Sequence, residues 1–337
     1  MKKIWKHAGN FYTLLSFAMT KYKQIKTKER IFHANGSGFY GDFILTKNLS
    51  NYTTSQFLTQ ENKKFKIGIR FSNTIADHGT SEMLRDNRGF SIRFYGDKEF
   101  WDIVGLSTPV QWIDDLEQTM LLHDSMVKNF INNKLDYNNK WNFISSTPAA
   151  LHVMTMIHSD TGIPKGWQHM NGYGGNVFSL INDQNKKTWV KFHFRTQQGR
   201  EFYTDEEAAQ ISFERPDKMT RDMINLIQSQ NFPKWKVYVQ LMEENEWKNL
   251  NFNVFSTVNV WPHNQFPLIE IGEIELNQIP FDQLEEFEKA AFAPGNLPKG
   301  IGVSPDYSLA VRIMSYPKLQ ELRLGKNINP VSDRVKK

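Results

Sequence analysis

The chain has 337 residues, no cysteine, and 41 basic against 36 acidic side chains, for a net charge of +5. Zero cysteine excludes disulfides, thiolate metal sites, a thiolate haem ligand and a cysteine nucleophile, and fits a reducing, cytoplasmic compartment. A mean hydropathy of −0.54 excludes a polytopic membrane protein, and the small, dispersed basic excess gives no nucleic-acid footprint. Length alone admits two domains or one large barrel.

The first 27 residues carry Lys2, Lys3 and Lys6, then Lys21, Lys23 and Lys26, around the apolar run Phe11 to Met19, which Thr13 and Ser16 interrupt. That run is far shorter than the ~20 residues of a spanning helix. No small-x-small cleavage site follows, so it is not read as a signal peptide. Two readings stand: a helix docking on the domain, or an amphipathic segment on an anionic membrane surface. From Arg30 the texture turns strand-like. Lys66 to Ser72 alternates, with Ile67, Ile69 and Phe71 on one face. Phe90 to Tyr95, Trp189 to Arg195 and Lys236 to Met242 repeat the period of two, and Phe252 to Val260 is expected to be a further strand. Such alternation marks half-buried antiparallel strands. Helical texture falls at Leu116 to Asn133, Pro216 to Ser229, Phe281 to Ala291 and Ser308 to Leu322, with an acidic helix start at Asp205 to Ala209. Loops are expected at Asn35-Gly36, Gly172 to Gly175, Pro294-Gly295 and Pro298 to Gly302. No repeat and no Gly/Ser-rich linker divides the chain, which reads as one domain over 28–325 with a tail over 326–337.

Three polar clusters sit in apolar company. In Arg30-Ile-Phe-His33-Ala-Asn35-Gly36, a histidine precedes a Gly-rich turn. It is either a structural residue or a rigidly held group beside a cavity. In Ile69-Arg70-Phe-Ser72, an arginine at an inward strand position needs an anion, either an internal carboxylate or a bound ligand. In Arg312-Ile-Met-Ser-Tyr316-Pro317, arginine and tyrosine are four apart and share a helix face. A guanidinium beside a phenol favours the phenolate. A phenolate is a hard ligand suited to ferric iron; the alternative is a tyrosine that only hydrogen-bonds at a helix end.

Taken together these clusters resemble the haem catalase family over roughly Lys28 to Gly325. Further matches are Leu84-Arg85-Asp-Asn-Arg88-Gly-Phe, Trp101-Asp-Ile-Val104-Gly105, His169-Met-Asn-Gly-Tyr-Gly174, Lys191-Phe-His-Phe, Val260-Trp-Pro-His263, Ser304-Pro-Asp306 and Arg323-Leu-Gly325. The resemblance implies an α+β fold: an eight-stranded antiparallel β-barrel with inserted and flanking helices and one buried haem b. It implies His33 as the distal acid–base group, Ser72 as the hydroxyl that fixes its ring, and Tyr316 as the axial iron ligand. Arg312 keeps Tyr316 a phenolate and Asp306 supports Arg312. Arg30, Arg70 and Arg323 pair with the haem propionates.

The distal pocket departs from the family pattern. The family has Gly-Asn-Asn-Thr-Pro where this chain has Gly105-Leu106-Ser107-Thr108-Pro109, so Leu106 stands in place of the distal asparagine. That removes a donor worth ~2.7–4 kcal/mol in comparable oxyanion sites. Ser107 is adjacent, but its Cβ is expected to point elsewhere. Gln111 and Thr119 stand for two flanking phenylalanines, Trp112 for another, and Phe32 for the valine before the distal histidine. Asn176 replaces a histidine, which is expected to loosen the surroundings of Arg312. An apolar wall of Phe32, Val104, Leu106 and Trp112 points to organic or fatty-acid hydroperoxides as substrates. Hydrogen peroxide dismutation is the alternative reading, and a haem isomerase or non-catalytic haem protein a third. The family's NADPH site is only partly matched, through His152, Arg195, Trp261 and His263 with Thr161 in place of an arginine, so NADPH is not expected. The resemblance implies a homodimer or other homo-oligomer, and the chain reads as the barrel and its haem pocket with little beyond.

Overall fold

The computed structural model describes residues 30, 32–126, 131–132, 134 and 136–325. The N-terminal segment 1–27 and the tail 326–337 lie outside the described residues. The strands are β1 Gly36–Leu45, β2 Lys64–Asn73, β3 Arg88–Tyr95, β4 Phe100–Leu106, β5 Gly172–Tyr173, β6 Phe178–Ile181, β7 Lys187–Thr196, β8 Lys234–Glu243, β9 Ile269–Gln278 and β10 Ile301–Val303. The helices are α1 Gln56–Thr59, α2 Leu116–Met126, α3 Tyr137–Ser146, α4 Leu151–Ile157, α5 Asp205–Glu214, α6 Lys218–Gln228 and α7 Tyr307–Leu324. Among the described residues no helix is long and apolar enough to cross a membrane.

Neighbouring strands run in the order β7-β5-β4-β3-β2-β1-β9-β8, and β8 pairs back onto β7. The result is a closed eight-stranded antiparallel barrel, with β6 and β10 extending from β7. Closure leaves the ring without an edge. Period-two alternation sends Ile67, Ile69 and Phe71 inward, as expected, where they meet Phe39, Phe90, Ile92, Phe94 and Trp235 in one core. Phe71 is fully buried, stacks on Trp167 at 5.8 Å and meets Phe90 edge-on at 5.2 Å. Each such aromatic contributes about 1.5–3 kcal/mol by leaving water.

The same alternation leaves three rows on the barrel's outer face. Gly36, Ser72, Gly89 and Leu106 lie in register, as do Gly38, Arg70, Ser91 and Val104, then Tyr40, Gly68, Arg93 and Asp102. Most of these side chains are small, so this wall is a shallow shelf. Arg70 therefore faces away from the barrel core, not inward as expected, and is buried by the layer packed outside.

Most expected elements form. Helix Pro216 to Ser229 is α6, Ser308 to Leu322 is α7, and the acidic start at Asp205 opens α5 with a Thr204/Glu207 capping box. The Leu116 helix runs to Met126, and its expected continuation to Asn133 falls largely outside the described residues. Phe252 to Val260 is not a strand. Asn253 Oδ1 accepts from the Phe255 N–H at 3.1 Å and Asn259 donates back to the Asn253 carbonyl, so side chains take the groups a ladder would use. Phe281 to Ala291 forms only a five-residue π-type turn, Leu284–Glu288, because arginines from elsewhere take its last carbonyls. Gly172 and Ile301 enter short strands where loops were expected. Strands β1, β4, β6 and β9 and helices α1, α3 and α4 are additional. In β1, Gly41 sits at a register shift where a Cβ would lie 1.9 Å from the Glu275 carbonyl oxygen, so close strand approach demands glycine there.

One buried ion pair ties the barrel to the layer outside it. Arg93 Nε and Nη2 donate to the two oxygens of Asp102 at 2.6 Å each, and Asp102 also accepts from Ala293 N and Asn296 Nδ2. Asp102→Ala leaves Arg93 buried and uncompensated and is expected to cost about 3–5 kcal/mol of stability. Urea unfolding checks this, and a loss below about 1 kcal/mol would refute it.

Candidate active site

A cavity of about 620 Å³ lies between the outer shelf of β2 to β4, helix α7 and the region of α2. It brings together residues far apart in sequence: Arg30, Phe32, His33, Arg70, Ser72, Val104, Leu106, Gln111, Trp112, Thr119, Arg312, Tyr316 and Arg323 all line it. Of the expected site residues Asp306 alone stands behind the wall.

On one wall is His33. Its φ of 62° puts a non-glycine residue in the left-handed region, which costs of order 1–3 kcal/mol and needs surroundings that impose it. Those surroundings are visible: the His33 N–H donates to the Thr74 carbonyl at 2.9 Å, and its Nδ1 lies 2.9 Å from Ser72 Oγ. A Cβ on Gly89 would sit 2.5 Å from Ser72 Oγ and 2.8 Å from His33 Nδ1, so only glycine makes room for the pair. Burial, then the charges of Arg70, Arg30 and Arg312, lower the His33 pKa to about 3. The ring is neutral at ordinary pH and Nε2 is available as a base.

On the other wall is α7. Its i, i+4 spacing places Ser308, Arg312 and Tyr316 on one cavity-facing stripe, and Ser315 and Leu319 extend it. Arg312 Nη2 donates to Tyr316 Oη at 3.0 Å and to the Val104 carbonyl of β4 at 2.9 Å. Its Nη1 donates to Asn176 Oδ1 at 2.5 Å. Asn176 Nδ2 in turn donates to Asp306 Oδ2 at 2.9 Å. Asp306 caps α7 by accepting from the Leu309 N–H. Burial pushes the Asp306 carboxyl above its ordinary value, against the pull of Asn176 and the Leu309 and Val177 N–H groups. The expectation that Asn176 loosens the surroundings of Arg312 is thus overturned. Its amide accepts from the guanidinium and donates to the carboxylate, so the bridge is intact.

At the rim Arg30, Arg70 and Arg323 converge on the turn 287–290. Arg30 donates to the carbonyls of Phe287, Glu288 and Ala290, and Arg323 to those of Glu288 and Ala290. Arg70 is paired with Glu288 Oε1 at 2.7 Å, the internal carboxylate that was one of its two readings. Burial and then the neighbouring charges of Arg70 and Arg323 drive the Arg30 pKa well below its ordinary value, against Glu288. Arg30 and Arg70 lie beside the Glu288 carboxylate, and burial of these guanidiniums makes a cationic rim that favours anionic groups.

On the expected distal wall Phe32, Val104, Leu106 and Trp112 line the cavity together with the polar Asn87, Gln111, Asp114, Asp115 and Thr119. Leu106 pairs with Gly89 in β3 and Tyr173 in β5 and faces the cavity. Ser107 turns away, accepting from Arg88 N at 3.0 Å. Gln111 lines the wall but acts as a strut: its Nε2 donates to the Gly175 carbonyl. Thr119 Oγ1 is used on the Asp115 carbonyl of its own helix. Arg88 is structural, donating to the carbonyls of Glu82, Leu84, Asp86 and Gly162. Trp261, compared earlier with a nucleotide site, is buried in a satellite core with Trp189 and Phe255. Glu288 supports the site and was not singled out from sequence, and Asn87, which lies within the matched run Leu84 to Phe90, was given no role there.

The donor set fits a haem: a shelf kept bare by Gly89, a phenol beside a guanidinium, a neutral histidine opposite, and a cationic rim for two carboxylates. Comparison with known proteins agrees. The catalase family model matches residues 13–332. The chain belongs to the catalase family. A catalase of Staphylococcus aureus is 40% identical over 309 residues, 92% of this chain and 61% of the relative. A bacterial catalase structure superposes with a TM-score of 0.87 at 34% identity, covering 92% of this chain and 60% of that one. Catalase A from Saccharomyces cerevisiae gives 0.86 at 33% identity, covering 91% and 64%. The chain spans about three-fifths of the length of the curated catalases it matches.

Catalase-family membership implies haem, and Tyr316, in contact with Arg312 on the cavity wall, is the residue expected from the sequence to ligate it. Tyr316→Phe keeps the ring and removes the oxygen that Arg312 contacts. It is expected to weaken haem retention by at least about tenfold and to shift the ferric Soret band. An unchanged spectrum would undo the axial assignment.

Proposed function

We propose that this protein binds haem b in the cavity between His33 and Tyr316 and turns over peroxides, with hydrogen peroxide dismutated to water and oxygen. The observation that carries the reading is the pairing of His33 with Ser72 on one wall and of Tyr316 with Arg312 on the other wall of a single cavity. The relatives named catalase support hydrogen peroxide as the substrate.

When bound, the haem iron supplies the redox chemistry that breaks the O–O bond. The rest is done by this chain. His33 Nε2 takes the proton from the peroxide oxygen and returns it to the leaving oxygen, while Ser72 holds the ring by Nδ1. Arg312 stabilises negative charge on the Tyr316 oxygen. Arg30, Arg70 and Arg323 hold the cofactor's carboxylates at the rim. Phe32, Trp112, Leu122 and Met126 keep the distal side apolar.

A second reading has its own support. Leu106, Gln111 and Thr119 stand where the family carries an asparagine and two phenylalanines, and they leave a cavity that extends to Leu122 and Met126. That lining favours organic or fatty-acid hydroperoxides over hydrogen peroxide. Haem-loaded protein assayed on hydrogen peroxide, cumene hydroperoxide and a fatty-acid hydroperoxide separates the two. Oxygen release from hydrogen peroxide without organic turnover supports dismutation. Organic turnover without oxygen release supports the second reading. His33→Ala is expected to abolish either activity, by about 10²–10⁴-fold, with haem retained.

The pH profile follows from His33. Its base form is lost only as pH falls through about 3, so His33 contributes no limb between about pH 5 and 9. Burial, the larger cause of the shift, persists when the rim arginines are neutralised by bound carboxylates. An acid limb near the ordinary histidine value would show that His33 is solvated.

A further inference from the structure

Strand β2 ends at Asn73, whose register partner is Arg88 of β3. The next two N–H groups, those of Thr74 and Ile75, have left the ladder, and one side-chain oxygen takes both. Asp86 Oδ2 accepts from Thr74 N at 2.6 Å and from Ile75 N at 3.0 Å. Asp86 is 4% exposed and does not line the cavity. It is itself fixed. Its N–H donates to the Gly162 carbonyl at 3.3 Å, and its carbonyl accepts from Arg88 Nη1 at 3.0 Å. Burial raises the Asp86 pKa, against the pull of the Ile75 N–H, the charges of Arg88 and Lys140, and the Thr74 N–H.

The segment that Asp86 holds is the one that holds His33. Residues 33–35 lie alongside residues 73–76 through three backbone bonds. His33 N donates to the Thr74 carbonyl at 2.9 Å, Asn73 N to the Asn35 carbonyl at 2.9 Å, and Asn35 N to the Ala76 carbonyl at 3.4 Å. Ser72, just before them, meets the His33 ring at Nδ1. Thr74 thus gives its carbonyl to His33 and its N–H to Asp86. The φ of 62° at His33 is one that a non-glycine residue keeps only where its neighbours impose it. Without the Asp86 oxygen, two N–H groups lose their acceptor and the backbone at 74–75 moves to find another. The carbonyl that holds His33 moves with it.

We infer that Asp86 is a positioning residue for the acid–base group: by gathering the Thr74 and Ile75 N–H groups on one oxygen, it fixes the carbonyl that keeps His33 at its positive φ and its ring on Ser72. The inference rests on the proposed peroxide reading and deepens it. Asp86 acts through Thr74 and touches neither substrate nor cofactor.

The test uses the full haem-loaded chain with Asp86→Ala and Asp86→Asn. The first removes the acceptor. The second keeps an oxygen for the two N–H groups and removes the charge beside Arg88. Two readouts are taken per bound haem, well below the melting temperature: peroxide turnover, and the association rate of cyanide with the ferric protein. Hydrogen cyanide gives up its proton to bind as the anion, so that rate reports the distal base without peroxide. Asp86→Ala is expected to lower kcat by about tenfold to hundredfold with KM little changed, and cyanide association by about tenfold. Asp86→Asn is expected to restore both to within about threefold of the parent. Both variants should melt at a lower temperature, because the buried Arg88 loses a neighbouring carboxylate. Positioning predicts that activity follows the oxygen while stability follows the charge. Turnover and cyanide association within twofold of the parent in Asp86→Ala, or equal losses in both variants, would overturn the inference. Should Asp86→Ala take up no haem, Asp86→Ser, whose oxygen stops one bond short of the two N–H groups, is read by the same criteria. A parent without peroxide turnover whose cyanide association still falls in Asp86→Ala and recovers in Asp86→Asn would refute the peroxide reading and keep the positioning assignment.

Discussion

The guanidinium of Arg312 joins the barrel to the helix that carries Tyr316. Its three contacts reach the Val104 carbonyl on β4, Asn176 in the turn between β5 and β6, and Tyr316 one helical turn ahead. Further along α7, Gln320 donates to the Phe292 carbonyl and Arg323 to those of Glu288 and Ala290, so Arg312 is the contact that ties the helix to β4 itself. A phenol must be both close and correctly turned to serve as an iron ligand. Arg312 supplies the rotation, and Asp306 fixes the helix start from which Arg312 is measured. The bridge between them is an amide here, Asn176, which cannot change protonation state. The link from Asp306 to Arg312 is therefore insensitive to pH except through the carboxyl itself, whose affinity for a proton burial has raised.

Around that anchor the shelf is built from what is missing as much as from what is present. Gly36, Gly38, Gly68, Gly89 and Ser91 sit on the outward rows of β1 to β3; Gly38 and Gly68 lie under the Phe287 ring, Gly36 against Ser72, Gly89 against Ser72 and His33, and Ser91 lines the cavity. The absence of side chains lets the backbone approach His33 closely, and that approach holds His33 at a positive φ it would not adopt alone. The stability for this comes from elsewhere. The aromatic barrel core and the Arg93–Asp102 pair supply contacts that do not depend on the site, so the strained turn at His33 is carried by a frame that would close without it.

The inner face of the barrel was legible in the sequence because its code is local. Ile67, Ile69 and Phe71 alternate within seven residues, and the register follows. Strand β1 was not legible, since Gly36, Gly38 and Gly41 erase the alternation, and a register shift at Gly41 breaks the period. Phe252 to Val260 showed the right alternation but failed, because Asn253 and Asn259 satisfy the backbone that a neighbouring strand would have needed. Residues carried by contiguous motifs, His33, Arg312 and Tyr316, come together on the walls of one cavity. Residues defined by long-range geometry did not announce themselves. Glu288 matters because it meets Arg70, 218 positions away. That relation has no short-range signature.

The distal wall shows how a site changes without changing its frame. Leu106 keeps the backbone pairing of its position, with Gly89 on one side and Tyr173 on the other, so the barrel does not register the loss of a polar side chain. The residues after it, Ser107 and Thr108, point away from the cavity: Ser107 Oγ accepts from the Arg88 N–H and Thr108 Oγ1 donates to the Val110 carbonyl at 2.8 Å. The polar contacts of His33 come from β2 and the residue after it, Ser72 and the Thr74 carbonyl, while Leu106 on β4 contributes shape. An exchange at Leu106 therefore alters the lining of the cavity and leaves the partners that hold His33 in place.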